Sequence, residues 1–563
     1  MRHLPDLPAP PGPECSETAA GSGAPARPTV IVASLAAIVA VAVLAVPSAA
    51  AAAAAASPVA AAEAADSTSA DSARAGGTAP PAPDSAAVDE LAREHLDAAG
   101  VSGLTVTVVR EGEVVHAEGY GHNPDGADVT GATPVPVASL SKSMTAASIL
   151  RLAEEGELSL DDPVRDHLPG YRPVDDRAER ITVRQLLDQT SGLGSYGLVS
   201  PDRQRIGSKE EALEVLSGME LTSDPGERHT YFGGNYWLAA ALAEEVTGLE
   251  RGDQMDENVF GPLGMDDTGT AQDPDRAGPG GAASGYGGLL GTGIARGGFG
   301  DYSAGTGDVV TTAEDLGRFL APFTSGGLAA DGTRFLGEES VDAALTASAP
   351  EGVYALGWRE RSDPDDGPPR VTHDGAGFNH LAHQGIHLER GYAVAVTANT
   401  MLLLDPTFTL AMAVMDLVTG EEPPPPGRNN LWVDLGVSAL LLLSVGLGVR
   451  RWTTASEWAE RVRERGSLRA ALGLVPRLLP LALVLGFALV IALNGAHPRS
   501  LMLWFMWPML GLWGLVATLS QTSTVLVRLH RLRRSAPGSG SRPAAGPGAV
   551  TSPGGTTGST APR

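Results

Sequence analysis

Three nearly charge-free apolar stretches, Leu431 to Val449, Leu478 to Leu493 and Leu501 to about Leu519, set the strongest constraint on the fold of this chain. Each is close to the length of helix needed to cross the ~30 Å apolar layer of a bilayer. Runs of this kind predict transmembrane helices at residues 431–449, 478–494 and 501–520, so any water-soluble core lies ahead of them. The segment at 450–477 holds Arg450, Arg451, Arg461, Arg463, Arg465 and Arg469, and Arg528, Arg531, Arg533 and Arg534 follow the third stretch. Positive residues stay on the cytoplasmic side. With three spans, the expected topology is a multi-pass cell-membrane protein with its front portion outside and its C-terminal tail inside. Arg499, in the short outer segment, runs against the bias.

The N-terminus reads the same way. From Thr29 to about Ala56 the chain is almost wholly apolar or Ala, preceded by Arg27, as in an export signal, so residues 1–56 are expected to be a signal peptide or signal anchor. Residues 57–85 are Ala, Ser, Pro and Asp with almost no large apolar side chain, a composition that forms no packed core and implies a disordered linker. The globular part is expected at 86–421, followed by a Pro-rich linker at 422–430. The Gly-, Pro-, Ser- and Thr-rich residues 535–563 are expected to be a disordered tail.

The net charge of −26 is unevenly divided: from Arg428 onward 15 Arg stand against 4 acidic residues. The front portion is therefore strongly acidic, and nucleic acid is not an expected partner, since nothing there would neutralise phosphates. The lipid bilayer is. Cys15, the only cysteine, precedes the first apolar run, so an intrachain disulfide, a thiol nucleophile and a thiolate metal site are excluded.

Within 86–421, Leu91, His95 and Leu96 recur at helical spacing around Ala87 to Ala99. Alternation over Leu104 to Val109, the Glu111-Gly112-Glu113 turn and Val114 to Glu118 predict a hairpin; His380 to Leu388 and Tyr392 to Thr397 predict a second, followed by a helix from about Pro406 to Val418. Between them the patterns are mainly helical. Thr182 with Gln185 and Thr312 with Asp315 are spaced as capping boxes at two helix starts. Strands from both ends of the domain are therefore expected to share one sheet.

Ser139-Leu140-Ser141-Lys142 opens an apolar-periodic stretch, Met144 to Leu152, which puts Ser139 in the first turn of a helix and Lys142 on the same face. The positive end of a helix favours an alkoxide over an ammonium, and an amine within reach activates a hydroxyl nucleophile. Lys142 and Lys209 are the only lysines in a chain otherwise supplied with arginine, which keeps its proton at working pH. Alone, a Ser three residues before a Lys is a weak signal.

Tyr231-Phe232-Gly233-Gly234-Asn235 places a phenol on a Gly-rich turn ahead of the apolar helix Trp237 to Val246, where it either relays protons or packs as an ordinary aromatic. His373-Asp374-Gly375-Ala376-Gly377 leads into the second hairpin. The backbone N–H groups of Ser139 and Ala376 are candidates for an oxyanion hole, with Gly375 allowing a substrate to lie close to the strand. His380, His383 and His387 suggest a metal by count, but alternation sends His380 and His383 to opposite faces, so neither metal nor cofactor is expected.

In this order and spacing, Ser139 to Lys142, Tyr231 and His373 to Gly375 resemble the serine β-lactamase and penicillin-binding-protein superfamily, in its class C β-lactamase-related branch of D-alanyl-D-alanine carboxypeptidases, D-aminopeptidases and esterases. Supporting strings are Ile181 to Leu187 running into Thr190-Ser191-Gly192-Leu193, and Ser303-Ala304-Gly305 before Thr312 to Leu316. The resemblance covers about Asp89 to Gly420. It implies an α/β (α+β) β-lactamase/transpeptidase-like fold, an antiparallel sheet flanked by helices with an inserted helical region. It further implies that Ser139 is acylated, that Lys142 and Tyr231 share the proton transfers, and that His373 stands where the family has the lysine of Lys-Thr-Gly. The family's second motif usually reads Tyr-x-Asn; here Gly233 takes the Asn position and Asn235 comes two residues later, so Gly233 and Asn235 are the candidates for substrate binding at this turn. The implied activity is a serine hydrolase acting on a peptide, ester or β-lactam. A non-catalytic receptor for cell-wall peptides or penicillin is the alternative, and the oligomeric state is open.

Overall fold

The computed structural model describes residues 84–194, 208–271, 284–296, 304–350, 352–361, 370–465, 472–493 and 507–534. The expected signal segment, nearly all of the linker after it and the C-terminal tail lie outside these residues. Helix α1 (Ser85–Ala99) starts on Asp84, whose carboxylate accepts the Ala86 N–H, and ends at Gly100 in the left-handed conformation. Ser85, assigned from composition to the linker, thus belongs to the domain.

Strands β1 (Gly103–Arg110) and β2 (Glu113–Gly121) form the first hairpin. Helix α2 (Ser141–Glu154) carries Lys142, α3 (Val183–Leu187) follows, and α4 (Gly233–Thr247) begins two residues after Tyr231. A small hairpin, β3 (Gly285–Leu289) and β4 (Thr292–Arg296), and helix α5 (Ala313–Thr324) complete the inserted part. Strands β5 (Arg359–Arg361), β6 (Arg370–Ala376), β7 (Leu381–His387) and β8 (Tyr392–Ala398) lead to α6 (Pro406–Thr419).

The main sheet has six antiparallel strands in the order β2-β1-β8-β7-β6-β5, so strands from the two ends of the domain pair at its centre, Val106 opposite Val396. That bears out the shared sheet read from the two hairpins. One face packs on α1 and α6 through Val88, Leu91, Val106, Val396, Leu410 and Val414; the other packs on α5 and the inserted helices through Val109, Met144, Trp237, Phe319 and Trp358. With both faces covered, β1 is buried along nearly its whole length.

Thr182 and Gln185 form the reciprocal capping box. At α5 only half of one exists: the Thr312 hydroxyl accepts the Asp315 N–H, but the Asp315 carboxylate accepts from the Asp267 N–H, the Thr268 hydroxyl and Arg318. A buried carboxylate with three donors at hand has no reason to turn back to its own helix end.

Among the described residues three helices are long and apolar enough to cross a membrane: α7 (Asn429–Thr453), Leu472–Leu489, which runs into α9 (Leu479–Leu493), and α10 (Pro508–Arg534). The helices run past the limits read in the sequence: α7 covers 429–453, the second starts at 472 and the third continues 14 residues past 520, while the segment expected as a loop at 450–477 contains α8 (Ala455–Arg465), rich in Ala, Glu and Arg, all strong helix formers.

Candidate active site

Val137, Ala138 and Ser139 leave the short strand Val135–Pro136 through a 3₁₀ turn, Ala138–Leu140, that runs directly into α2. Ala138 has φ +47°, a left-handed conformation that a non-glycine residue adopts at a cost and that recurs at functional sites. The turn is held from below: the Ser141 hydroxyl donates to Ala138 O at 2.7 Å and accepts the Val309 N–H at 3.0 Å. Across it lies β6. A Cβ on Gly375 would stand 2.3 Å from Val137 O, so only glycine lets this strand touch the turn that carries Ser139. Beyond Gly375, Ala376 is exposed at the strand end.

Lys142 is 2 % exposed. Its Nζ donates to Ser139 Oγ at 3.1 Å and to Thr306 O at 2.8 Å, and lies 5.2 Å and 5.8 Å from the ring centroids of Tyr231 and Tyr236. The Thr306 carbonyl is fixed by a buried ion pair. Asp308 takes the Gly305 N–H and the Arg251 Nε, both within 3.1 Å, and Arg251 reaches on to the Thr145 hydroxyl of α2 at 2.8 Å. The loop holding the lysine is thereby tied to the helix that carries it. Lys209, the other lysine, pairs with Glu244 at 3.5 Å.

Tyr231 keeps 39 % of its surface exposed yet is surrounded by cations and aromatic rings: Arg359 5.1 Å from its centroid, Tyr354 at 6.0 Å and His373 at 6.2 Å. Burial pushes its phenol up. The Lys142 charge, hydrogen bonding to Ser139 and Lys142, and the Arg359 charge outweigh that and hold it below the ordinary tyrosine value. A phenol so placed gives up its proton more readily than a free tyrosine.

The His373 ring is fully engaged. Nδ1 lies 2.8 Å from Asp374 O, and a carbonyl only accepts, so Nδ1 carries the proton; Nε2 then accepts from the Tyr354 hydroxyl at 2.8 Å. Burial, with the Lys142 charge, pushes His373 down to about 3. This is a neutral, positioned imidazole and not a cation.

The structure thus brings Ser139, Lys142, Tyr231 and His373 together and sets Gly375 against the nucleophile turn. Gly233 opens α4, and a Cβ there would meet only Thr306 Cγ2, at 3.8 Å. Asn235 does not offer its amide to this cluster. It is buried, its Nδ2 donating to Gln189 Oε1 and its Oδ1 accepting from the Ser191 hydroxyl, both at 2.6 Å. Two positions along a helix turn the side chain by about 200°, so a residue two places after Gly233 faces the opposite side. The expectation that Asn235 binds substrate is corrected on this ground. His383 and His380 are engaged elsewhere, His383 Nδ1 with the Asp374 carboxylate at 2.6 Å and His380 Nδ1 with the Asn379 amide oxygen at 2.8 Å.

Three residues went unnoticed in the sequence. Tyr354 orients His373, Arg359 lies over Tyr231, and Gln189, at φ +64°, holds the Tyr231 turn by accepting from the Phe232 N–H at 3.0 Å. The signals in the sequence were slight: Tyr354 and Trp358 bracket Ala355-Leu356-Gly357, and Gln189 sits between the Ile181 to Leu187 and Thr190 to Leu193 strings.

The chain is 30 % identical over 327 residues to penicillin-binding protein 4 of Amycolatopsis lactamdurans, covering 55 % of this chain and 83 % of that protein. It is also 30 % identical over 186 residues to protein flp of Staphylococcus aureus strain MW2, 32 % of this chain, and so spans about a third (37 %) of the length of that relative. In fold it is similar to the octameric penicillin-binding protein homologue from Pyrococcus abyssi, with a TM-score of 0.50 and 24 % identity over 60 % of this chain and 78 % of that one. The family profile described as Beta-lactamase matches residues 88–419, more than half of the sequence and the whole span that holds Ser139, Lys142, Tyr231 and His373, so this chain belongs to the beta-lactamase family.

Proposed function

We propose that this chain is a membrane-anchored serine hydrolase, its catalytic domain outside the cytoplasm, working through an acyl-enzyme on Ser139. The observation that carries the reading is the contact of Lys142 Nζ with Ser139 Oγ at 3.1 Å beside a tyrosine whose phenol is held below its ordinary value. A purely structural lysine has no need of a half-buried hydroxyl and an acidified phenol for company. Ser139 Oγ attacks the acyl carbonyl and its proton passes to the Lys142–Tyr231 pair. The backbone N–H groups of Ser139 and Ala376 hold the oxyanion, and the proton returns to the leaving group as its bond to the acyl carbon breaks. Water then frees the acid from Ser139.

The substrate side of the site favours a donor with modest hydrogen-bonding demands. Among the described residues strand β5 pairs with β6 only at residues 370–372, so Asp374 to Ala376 offer an edge along which an extended acyl group can pair. No side-chain amide stands at position 233 to hold an amide carbonyl. An ester is therefore the preferred acyl donor, ahead of a peptide or β-lactam. Gly233→Asn, for which the backbone has room, should raise acylation by penicillin relative to a p-nitrophenyl ester about tenfold, the worth of one substrate hydrogen bond. An unchanged ratio would remove the missing amide as the cause of that preference.

The catalytic reading is tested by intact-mass measurement after incubation with a fluorophosphonate and, separately, with penicillin. One probe adduct is expected on the native chain and none on Ser139→Ala; a folded native chain that takes no adduct would turn the reading towards a receptor.

A further inference from the structure

The ends of α7, α9 and α10 away from the catalytic domain carry a cluster of cations that the chemistry at Ser139 leaves unexplained. Arg528, on α10, is only 6 % exposed, and its Nε and Nη1 are buried with no hydrogen-bond partner. Its guanidinium carbon lies 4.7 Å from the centroid of the Trp458 ring on α8. The charged groups that act on it are Arg477, Arg451 and Arg461, every one of the same sign. Arg477 Nε, at the start of the second apolar helix, is likewise buried without a partner. Arg451 donates to the neutral Gln521 Oε1 at 3.0 Å.

Burial and like-charge repulsion both oppose this grouping, and the partners it has, the Trp458 ring for Arg528, Gln521 Oε1 for Arg451 and Gly473 O for the Arg477 Nη1, are all neutral. An anion between the guanidinium groups offsets both. Stacked on Trp458, the Arg528 guanidinium keeps its in-plane N–H groups free for the two-point contact that phosphate oxygens accept. The surroundings indicate what carries the phosphate. Trp452, next to Arg451, is 51 % exposed, and Leu529, next to Arg528 on α10, is exposed as well. An apolar collar beside a cationic pocket, at the end of helices long enough to span a bilayer, suits a headgroup with acyl chains attached.

We propose that Arg451, Arg461, Arg477 and Arg528 form a binding site for the headgroup phosphate of an anionic phospholipid. The site rests on these helices crossing a bilayer and is independent of the reaction at Ser139. The test uses the full chain in dodecyl maltoside micelles titrated with phosphatidylglycerol, phosphatidylcholine or inorganic phosphate, read by native mass spectrometry and tryptophan fluorescence. Fluorophosphonate labelling of Ser139 reports folding. Retention of phosphatidylglycerol about tenfold above phosphatidylcholine is expected, with Arg528→Gln and Arg477→Gln each weakening it about fivefold while labelling stays unchanged. Equal retention of the two lipids would overturn the proposal, and so would variants that bind phosphatidylglycerol like the native chain. Displacement of the lipid by millimolar inorganic phosphate would reassign the site to a soluble anion. If Arg528→Gln does not fold, Arg477→Gln at the less buried position decides.

Discussion

Exchanging Lys142 for arginine will slow acylation of Ser139 by about 10³-fold, within the range that a positioned general base contributes. The substitution keeps a cation and a good helix former in the first turn of α2 but removes the capacity to take up a proton at working pH. Because Lys142 is buried, arginine also brings bulk. Lys142→Ala therefore accompanies it, with ethylamine supplied as an external base. Partial recovery of fluorophosphonate labelling by the amine would tie the loss to the missing proton acceptor rather than to distortion of α2. If Lys142→Arg labels within threefold of the native rate, Tyr231 carries the proton unaided and Lys142 acts only through its charge.

What the sequence reveals about this site depends on how local each signal is. Ser139 and Lys142 are three residues apart on one helix, and helical geometry alone brings them together. The two hairpins were legible for a similar reason: alternation defines both β1–β2 and β7–β8, and their turns are short. Tyr354 and Arg359 meet Tyr231 and His373 only because β5 pairs with β6, a contact that no periodicity announces. Asn235 shows the opposite error, a side chain of the right chemistry at the wrong helical angle. Thr306 was invisible because its part is played by a backbone carbonyl, whose placement depends on Asp308 and Arg251, 55 residues or more from one another in the chain. Local patterns thus identify the groups that do chemistry, and long-range pairing selects the groups that orient them.

Acid will destabilise the catalytic domain well above the pH at which surface carboxylates titrate. His373 and His380 are buried neutral, at about 3 and about 4, in both cases chiefly through burial, against an ordinary value near 6.5 in the unfolded chain. The unfolded state therefore binds more protons below pH 6.5, so the stability these two residues allow is intact above 6.5 and is lost as pH falls towards 4 and then 3. At pH 5 the loss is about 2 kcal/mol for each, a large share of the ~5–15 kcal/mol that holds a domain together. Buried carboxyls work against it: burial pushes Asp188, Glu244 and Asp315 up, so the folded state takes up their protons first and gains stability from them as pH falls. The comparison is therefore made between the native chain and His380→Gln, which keeps a polar side chain at the Asn379 contact without the titration. Between pH 7 and pH 5 the native midpoint of thermal unfolding, followed by near-UV circular dichroism in detergent, should fall by roughly 10 °C. The variant should fall less far, by the share of His380 alone, since His95, His116 and His387, which burial also pushes down, act equally in both chains. Equal slopes for the two would mean that His380 is not the neutral, buried imidazole described, and a native midpoint flat across this range would say the same of His373.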